Sequence, residues 1–290
     1  MPEDTRAEES KLSTADFKFI CQFVYDSTGI VLNDGKREMV YRRLTRIVRE
    51  RKLNSFSEYC RLLKKEPEKE SSYFINAITT NLTSFFRENH HFDYLKNIEI
   101  PSLLNINKRD KRLRFWSSAC STGEEPYSLA ITLLESLSKT HHDWDIKILA
   151  TDIDSNVLTK AKSGVYDIDR IAELPVASYR RYFHKGTGSN ESKVKIDNRL
   201  QQLITFKQLN LMQDWPMNGP FDVIFCRNVI IYFDKATQEM LFSRYYDMLK
   251  PGGLLILGHS ESLGSYQKYF ENANRTIFRK PIQVLSSDRV

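Results

Sequence analysis

From Ser13 to about His91 the apolar residues recur at helical spacing. Phe17, Ile20, Cys21 and Val24 mark one face of a first helix, with Ser13-Thr14-Ala15-Asp16 as a capped start and Gly29 as a stop. A second helix is predicted from Lys36 to Arg51. Val40, Leu44, Ile47 and Val48 form its apolar stripe, and Arg42, Arg46 and Arg49 lie together on the opposite side. Shorter helices follow around Phe56 to Lys65 and Ser72 to Leu82. Residues 12–92 therefore read as a small all-helical domain.

The character changes between 93 and 112, where Pro101 and the charged run KRDKR mark a linker to a second domain over 113–290. There, apolar strands alternate with helices: strand Leu113 to Ser118, helix Glu124 to Ser138, strand Ile146 to Asp152, helix Ser155 to Ser163. Strand Asp222 to Cys226, helix Ala236 to Met248 and strand Gly253 to Gly258 come later, and the stretch from Tyr266 to Lys280 has room for two edge strands. Such alternation predicts an α/β fold, a mostly parallel Rossmann-like sheet covered on both faces. Between Gly164 and Asn210 the rhythm breaks. Lys193 to Ile196 alternates as a solvent-faced strand, Gly186-Thr187-Gly188 is a turn signal, and Leu203 to Phe206 is its expected partner, giving an inserted small antiparallel β-subdomain at about 165–208.

Composition narrows the picture. At 290 residues, 41% hydrophobic and 28% charged, the chain can bury a core. No run approaches the roughly 18 apolar residues of a bilayer span, and the polar start MPEDTRAEES is unlike a signal peptide, so a cytoplasmic protein without membrane insertion is expected. Cys21, Cys60, Cys120 and Cys226 are too scattered for a disulfide framework or a zinc site. The pairs His90-His91 and His141-His142 make poor co-ligands, so no metal is expected. The net charge is +6, yet Lys36 to Lys65 alone holds 4 Lys and 7 Arg against 3 Glu. This local basic face is either a docking surface or a solvated helix side.

The chemistry-bearing motifs sit at strand ends. In RFWSSACSTGEEPYSLA a strand turns directly into a helix, the position where doubly wound folds bind nucleotides. The turn has one glycine, Gly123, and lacks the G-x-G-x-x-G that brings backbone against a pyrophosphate. Glu124 and Glu125 open the helix instead, favouring a ligand with amino and sulfonium charges; compensation of the helix dipole would place them there equally well. Asp152 ends the next strand, where an acid can accept both hydroxyls of a ribose, and Asp154 is placed to cap the following helix. A dinucleotide enzyme would use the same acid, so the missing phosphate turn is what points to S-adenosylmethionine. In QLNLMQDWP, Asn210 and Leu211 suit an adenine edge and face. In FDVIFCRNVIIYFD, Arg227, Asn228 and Tyr232 follow a buried strand at the mouth of the same crevice; Arg227 could also be an ordinary ion-pairing residue.

The blocks TTNLTSFFRENHHF, ACSTGEEPYSLAI, ATDID, FDVIFCRNVIIYFDK and LKPGGLLILGHSES, in this order, resemble the bacterial chemotaxis receptor methyltransferases, the CheR family, from about Asp16 to Lys280. The resemblance implies an all-helical N-terminal domain, an S-adenosylmethionine-dependent methyltransferase domain and an inserted β-subdomain. It also implies cofactor contacts at Asn81, Thr83, Arg87, Glu125, Asp152, Asn210, Leu211, Arg227 and Asn228. The implied activity is protein-glutamate O-methyltransfer, giving glutamate methyl esters on the cytoplasmic helices of chemoreceptors and S-adenosylhomocysteine. By analogy Arg87 holds the substrate carboxylate, or else anchors the cofactor, and Tyr232 lines the methyl channel. Arg42, Arg46 and Arg49 would guide docking, and the enzyme would be recruited to membrane receptor arrays.

Family members that tether to a receptor's C-terminal pentapeptide resemble G-x-G-x-x-x-G with a following arginine in the inserted hairpin. Here GTGSNESKVKI has Ser192 for the third glycine and Lys195 for the arginine, so no tether is expected. Two rival readings compete. A nucleic-acid methyltransferase would carry an Asn/Asp-Pro-Pro-aromatic run where this chain reads Arg-Asn-Val-Ile-Ile-Tyr, and no nucleic acid is expected. A non-catalytic module that only binds the cofactor is opposed by Arg87, Glu125, Asp152 and Tyr232.

Overall fold

The computed structural model describes residues 12–137, 143–174 and 180–282; the acidic N-terminal stretch, the His141-His142 pair and the chain's last residues lie outside them. Four helices come first: α1 (Thr14–Thr28), α2 (Arg37–Glu50), α3 (Phe56–Lys65) and α4 (Pro67–Ile78). Ser13 caps α1 by accepting from Asp16 N, and Gly29 ends it in a left-handed conformation at φ +72°. The predicted stripe of α2 is buried with Phe17, Ile20 and Val24 of α1 and Phe74 of α4 in one core. α4 starts earlier than its apolar pattern announced, because Pro67 supplies a preset first turn.

Residues 93–112, expected as a linker, are helical as far as Ile106. Helix α5 (His90–Tyr94) runs through one wide turn over Leu95–Glu99 into α6 (Ile100–Ile106), and Phe92, Leu95, Ile100 and Leu103 join the core beneath the sheet. The apolar residues outweigh the breaker signals of Pro101, which sits harmlessly in a first turn.

The sheet domain comprises β1 (Arg112–Ser117), α7 (Glu124–Ser136), β2 (Asp145–Asp152), α8 (Ser155–Ser163), β3 (Val165–Asp167), β4 (Phe183–Lys185), β5 (Lys193–Ile196), α9 (Asn198–Gln201), β6 (Ile204–Gln208), β7 (Phe221–Cys226), α10 (Lys235–Met248), β8 (Leu249–Leu257), β9 (Glu271–Asn274) and β10 (Ile277–Arg279). Seven strands pair in the order β6-β2-β1-β7-β8-β10-β9, parallel except at β10 and β9. β7 explains the two-sided cover: Val223 and Phe225 enter one core, Ile224 and Cys226 the other.

The inserted subdomain is a three-stranded antiparallel sheet ordered β3-β5-β4. Here one expectation is corrected. Leu203 to Phe206 is no partner of Lys193 to Ile196: β6 joins the main sheet parallel to β2, with Ile204 opposite Ile148 and Phe206 opposite Ala150. A short apolar run records burial and not its neighbour, and the core beside β2 claims it.

Candidate active site

Three strand ends and one joining segment meet at the carboxyl edge of the sheet. After Ser117 the chain turns into α7 through Gly123, at φ +98°. A Cβ there would lie 2.8 Å from both Ala161 Cβ and the Tyr166 hydroxyl, so the turn requires glycine. The two acids that follow diverge. Glu124 is fully buried, ion-paired with Arg170 and hydrogen-bonded by the Thr122 hydroxyl at 2.6 Å. Glu125 faces the cleft, accepting from Ser117 Oγ at 2.7 Å and from Arg227 Nη1 at 2.9 Å.

Asp152 ends β2 with its carboxylate anchored by backbone. Oδ2 accepts from Ser121 N at 2.8 Å and Oδ1 from Asp154 N at 3.0 Å, and burial pushes the carboxyl up to about 6. Asp154 caps α8 through Asn156 N at 2.8 Å. Its second oxygen reaches across to the joining segment, taking the Asn81 amide at 2.8 Å and the Thr79 hydroxyl at 3.0 Å. Asn81 in turn accepts the Ser121 hydroxyl on its carbonyl at 2.8 Å, and Arg170 holds the carbonyl of Thr83 at 2.6 Å.

Beyond β7, Arg227 is almost wholly buried between two carboxylates, Glu125 at 2.9 Å and Glu88 at 3.2 Å. Its Nε has no hydrogen-bond partner among the described residues. Asn228 sits at φ +57°, and the turn that follows wraps around buried Glu261. That carboxylate accepts Gly258 N at 2.6 Å, Asn228 N at 2.8 Å, Val229 N at 2.9 Å and Ile231 N at 3.3 Å. Tyr232 closes the turn, its carbonyl accepting from Val31 N of the helical domain at 2.8 Å.

All nine expected contact residues, Asn81, Thr83, Arg87, Glu125, Asp152, Asn210, Leu211, Arg227 and Asn228, line one cleft together with Tyr232. Its space is about 1170 Å3, open solvent at the mouth included. The Asn210 amide donates to the Ser27 carbonyl at 2.7 Å, stitching the cleft floor to the helical domain. Arg42, Arg46 and Arg49 stand apart from the cleft on the exposed side of α2, where Arg42 pairs with Glu38 at 2.9 Å and Arg46 with Glu50 at 2.7 Å. Their neighbour Arg43 turns inward and was missed by the pattern. It donates to the carbonyls of Ile78 and, at 2.8 Å, Thr79, and to the Thr80 hydroxyl at 3.0 Å. Glu88 and Glu261 were also missed.

Two family descriptions tile the chain: "CheR methyltransferase, all-alpha domain" over 15–79 and "CheR methyltransferase, SAM binding domain" over 81–279. The chain belongs to the CheR methyltransferase family. It is 43% identical to chemotaxis protein methyltransferase 2 of Pseudomonas aeruginosa, covering 93% of this chain and 95% of that protein. It is 44% identical to the chemotaxis protein methyltransferase of Salmonella typhimurium, covering 92% and 90%, and 43% identical to that of Escherichia coli, covering 93% and 92%. It is therefore an S-adenosylmethionine-dependent methyltransferase, and the cleft fits the cofactor. Glu125 and Asp152 place two carboxyl groups on the cleft lining next to the turn into α7, a donor set that suits a cationic nucleoside and opposes a pyrophosphate. Among the described residues there is no metal-binding cluster of His, Cys, Asp and Glu, and no helix is long and apolar enough to cross a membrane.

Proposed function

We propose that this CheR methyltransferase esterifies glutamate side chains on the cytoplasmic helices of chemoreceptors, acting in the cytoplasm at receptor arrays. One observation carries the reading: a single cleft is lined by Glu125 and Asp152, for a cationic nucleoside, and by the half-buried residue Arg87, for an anionic substrate. Asn81, Thr83, Asn210, Leu211, Arg227 and Asn228 complete the cofactor's surroundings in this proposal, and residues 12–92 and 113–290 act as docking and methyltransferase domains. S-adenosylmethionine supplies an activated methyl group and a good leaving group.

The protein's task is then alignment. A glutamate of ordinary pKa near 4.3 is already ionised at neutral pH, so no general base is required. Arg87 holds the substrate carboxylate in line, Tyr232 donates a hydrogen bond beside it, and the surrounding protein replaces water with fixed donors. Arg42, Arg46 and Arg49 steer a glutamate-rich helix onto α2. In the insert, Gly186 is held tight, since a Cβ there would meet Asn190 O at 2.1 Å, while Ser192 and Lys195 replace the tether motif's third glycine and arginine. Methylation without a pentapeptide tether follows.

The test is incubation with labelled S-adenosylmethionine and membranes carrying candidate receptors. Label that is released by mild base as methanol is expected. Base-stable label would exclude a carboxyl ester and sink the proposal.

A further inference from the structure

We infer that Glu88 is a positioning residue that locks Arg87 over the cleft, and this rests on the reading of Arg87 given above. Glu88 is the point where the joining segment is fastened to the ends of two strands. Its Oε2 accepts from His259 N, just past β8, at 3.0 Å and meets Arg227 Nη2, just past β7, at 3.2 Å. Oε1 accepts the Asn228 amide at 3.2 Å. Burial alone would push this carboxyl up. Arg227, the Asn228 amide and the His259 N–H more than offset it, holding Glu88 below the ordinary carboxylate value and therefore charged at neutral pH.

The fastening is needed because the segment would not hold this shape unaided. Phe86 at φ +53° and Glu88 at φ +56° flank Arg87 with left-handed backbone that side chains disfavour. Arg87 itself has few restraints. Its carbonyl accepts from Arg227, and among the described residues its guanidinium donates only to the Leu82 carbonyl, at 2.9 Å, within its own segment. Arg227 thus carries Glu88 on one amino group together with Arg87's carbonyl, and Glu125 on the other. His91, held neutral by burial, has its Nδ1 at 3.6 Å from Glu88 and cannot substitute for the guanidinium. Removing the Glu88 charge loosens the Glu88 end of this turn, and with it the placement of Arg87, while the other end stays held by Ser128 Oγ, which accepts from Phe86 N at 2.9 Å. Arg227 and Asn228 lose one partner each, whereas Asn81, Thr83, Glu125, Asp152 and Asn210 keep anchors of their own.

The test is a double-mutant cycle of Glu88→Gln with Arg87→Ala in the full-length enzyme. It is read as the single-turnover rate of receptor methylation at saturating S-adenosylmethionine, with affinity for S-adenosylhomocysteine measured alongside. Glu88→Gln alone is expected to slow methyl transfer about tenfold, the scale of a lost charged hydrogen bond, and to change the rate less than about twofold when Arg87 is already alanine. Equal slowing in both backgrounds, or none in the first, would overturn the inference. A full rate in Arg87→Ala would instead overturn the reading of Arg87, so the two failures are separable. If Glu88→Gln does not fold, Glu88→Asp, which keeps the charge but withdraws it by one methylene, carries the same cycle.

Discussion

Asp152 shows how a single residue's surroundings set a measurable property. Its carboxylate is anchored by two backbone N–H groups yet buried enough to titrate near 6 in the cofactor-free protein. Ribose hydroxyls donate to the ionised form, so the competent fraction falls as pH drops through that value. Affinity for S-adenosylhomocysteine should therefore be level above about pH 7 and weaker by about tenfold at pH 5. Calorimetric titration across this range checks it, and an affinity unchanged at pH 5 would refute the ribose assignment. Asp152→Asn should bind more weakly by about 2 kcal/mol at pH 7.5 and lose the pH dependence. Asp152 was legible because a strand tip in a doubly wound sheet has one place to point. Glu261 was not: in sequence it is one more acid in a polar turn, and only the folded chain brings four N–H groups to it.

Helices and strands were legible wherever a period ran long enough. The stripe of α2, the apolar run of β7 and the caps at Ser13, Gly29 and Asp154 appear as expected. Pairing was not legible, because β6 beside β2 and β5 between β3 and β4 are decided by partners distant in the chain. The turn into α7 gives a prediction at this scale. Gly123→Ala would place a methyl against Ala161 and Tyr166 at a left-handed backbone, so it should cost about 1–3 kcal/mol of stability in chemical denaturation. Arg43 gives a second, since its guanidinium caps the end of α4 and fixes the start of the segment that lines the cleft. Arg43→Ala should lose about 1–3 kcal/mol and weaken cofactor binding as well. A variant with normal affinity would show that the segment 79–83 keeps its shape without α2.

At the scale of the molecule, the helical domain and the sheet share the cleft through long-range bonds. Tyr25 donates to Asp234 at 2.8 Å, Asn76 to the Ser155 hydroxyl at 3.0 Å, and Ile30 bridges to Phe233. These ties hold α2 in a fixed place beside the cleft, so charge on its outer face can orient a partner relative to the reacting carboxylate. The local excess of Lys and Arg overstates what that face offers. Arg43 is turned inward, Arg51 is spent on Glu70 at 3.0 Å, and Arg42 and Arg46 lean on Glu38 and Glu50. Those last two pairs are exposed and exchange readily for an incoming carboxylate, while Arg49 has no ion pair among the described residues. Docking driven by such charges gains rate chiefly in encounter and loses it to screening. Reversing Arg46 and Arg49 to glutamate should therefore slow receptor methylation at low salt and flatten its decline as salt rises, with affinity for S-adenosylhomocysteine unchanged. Methylation rates from 20 to about 500 mM salt, an interval over which the screening length shrinks several-fold, provide the check. A double variant with the wild-type salt profile would remove this face of α2 from the docking surface, and the approach of the receptor helix would then have to be set by the cleft mouth alone.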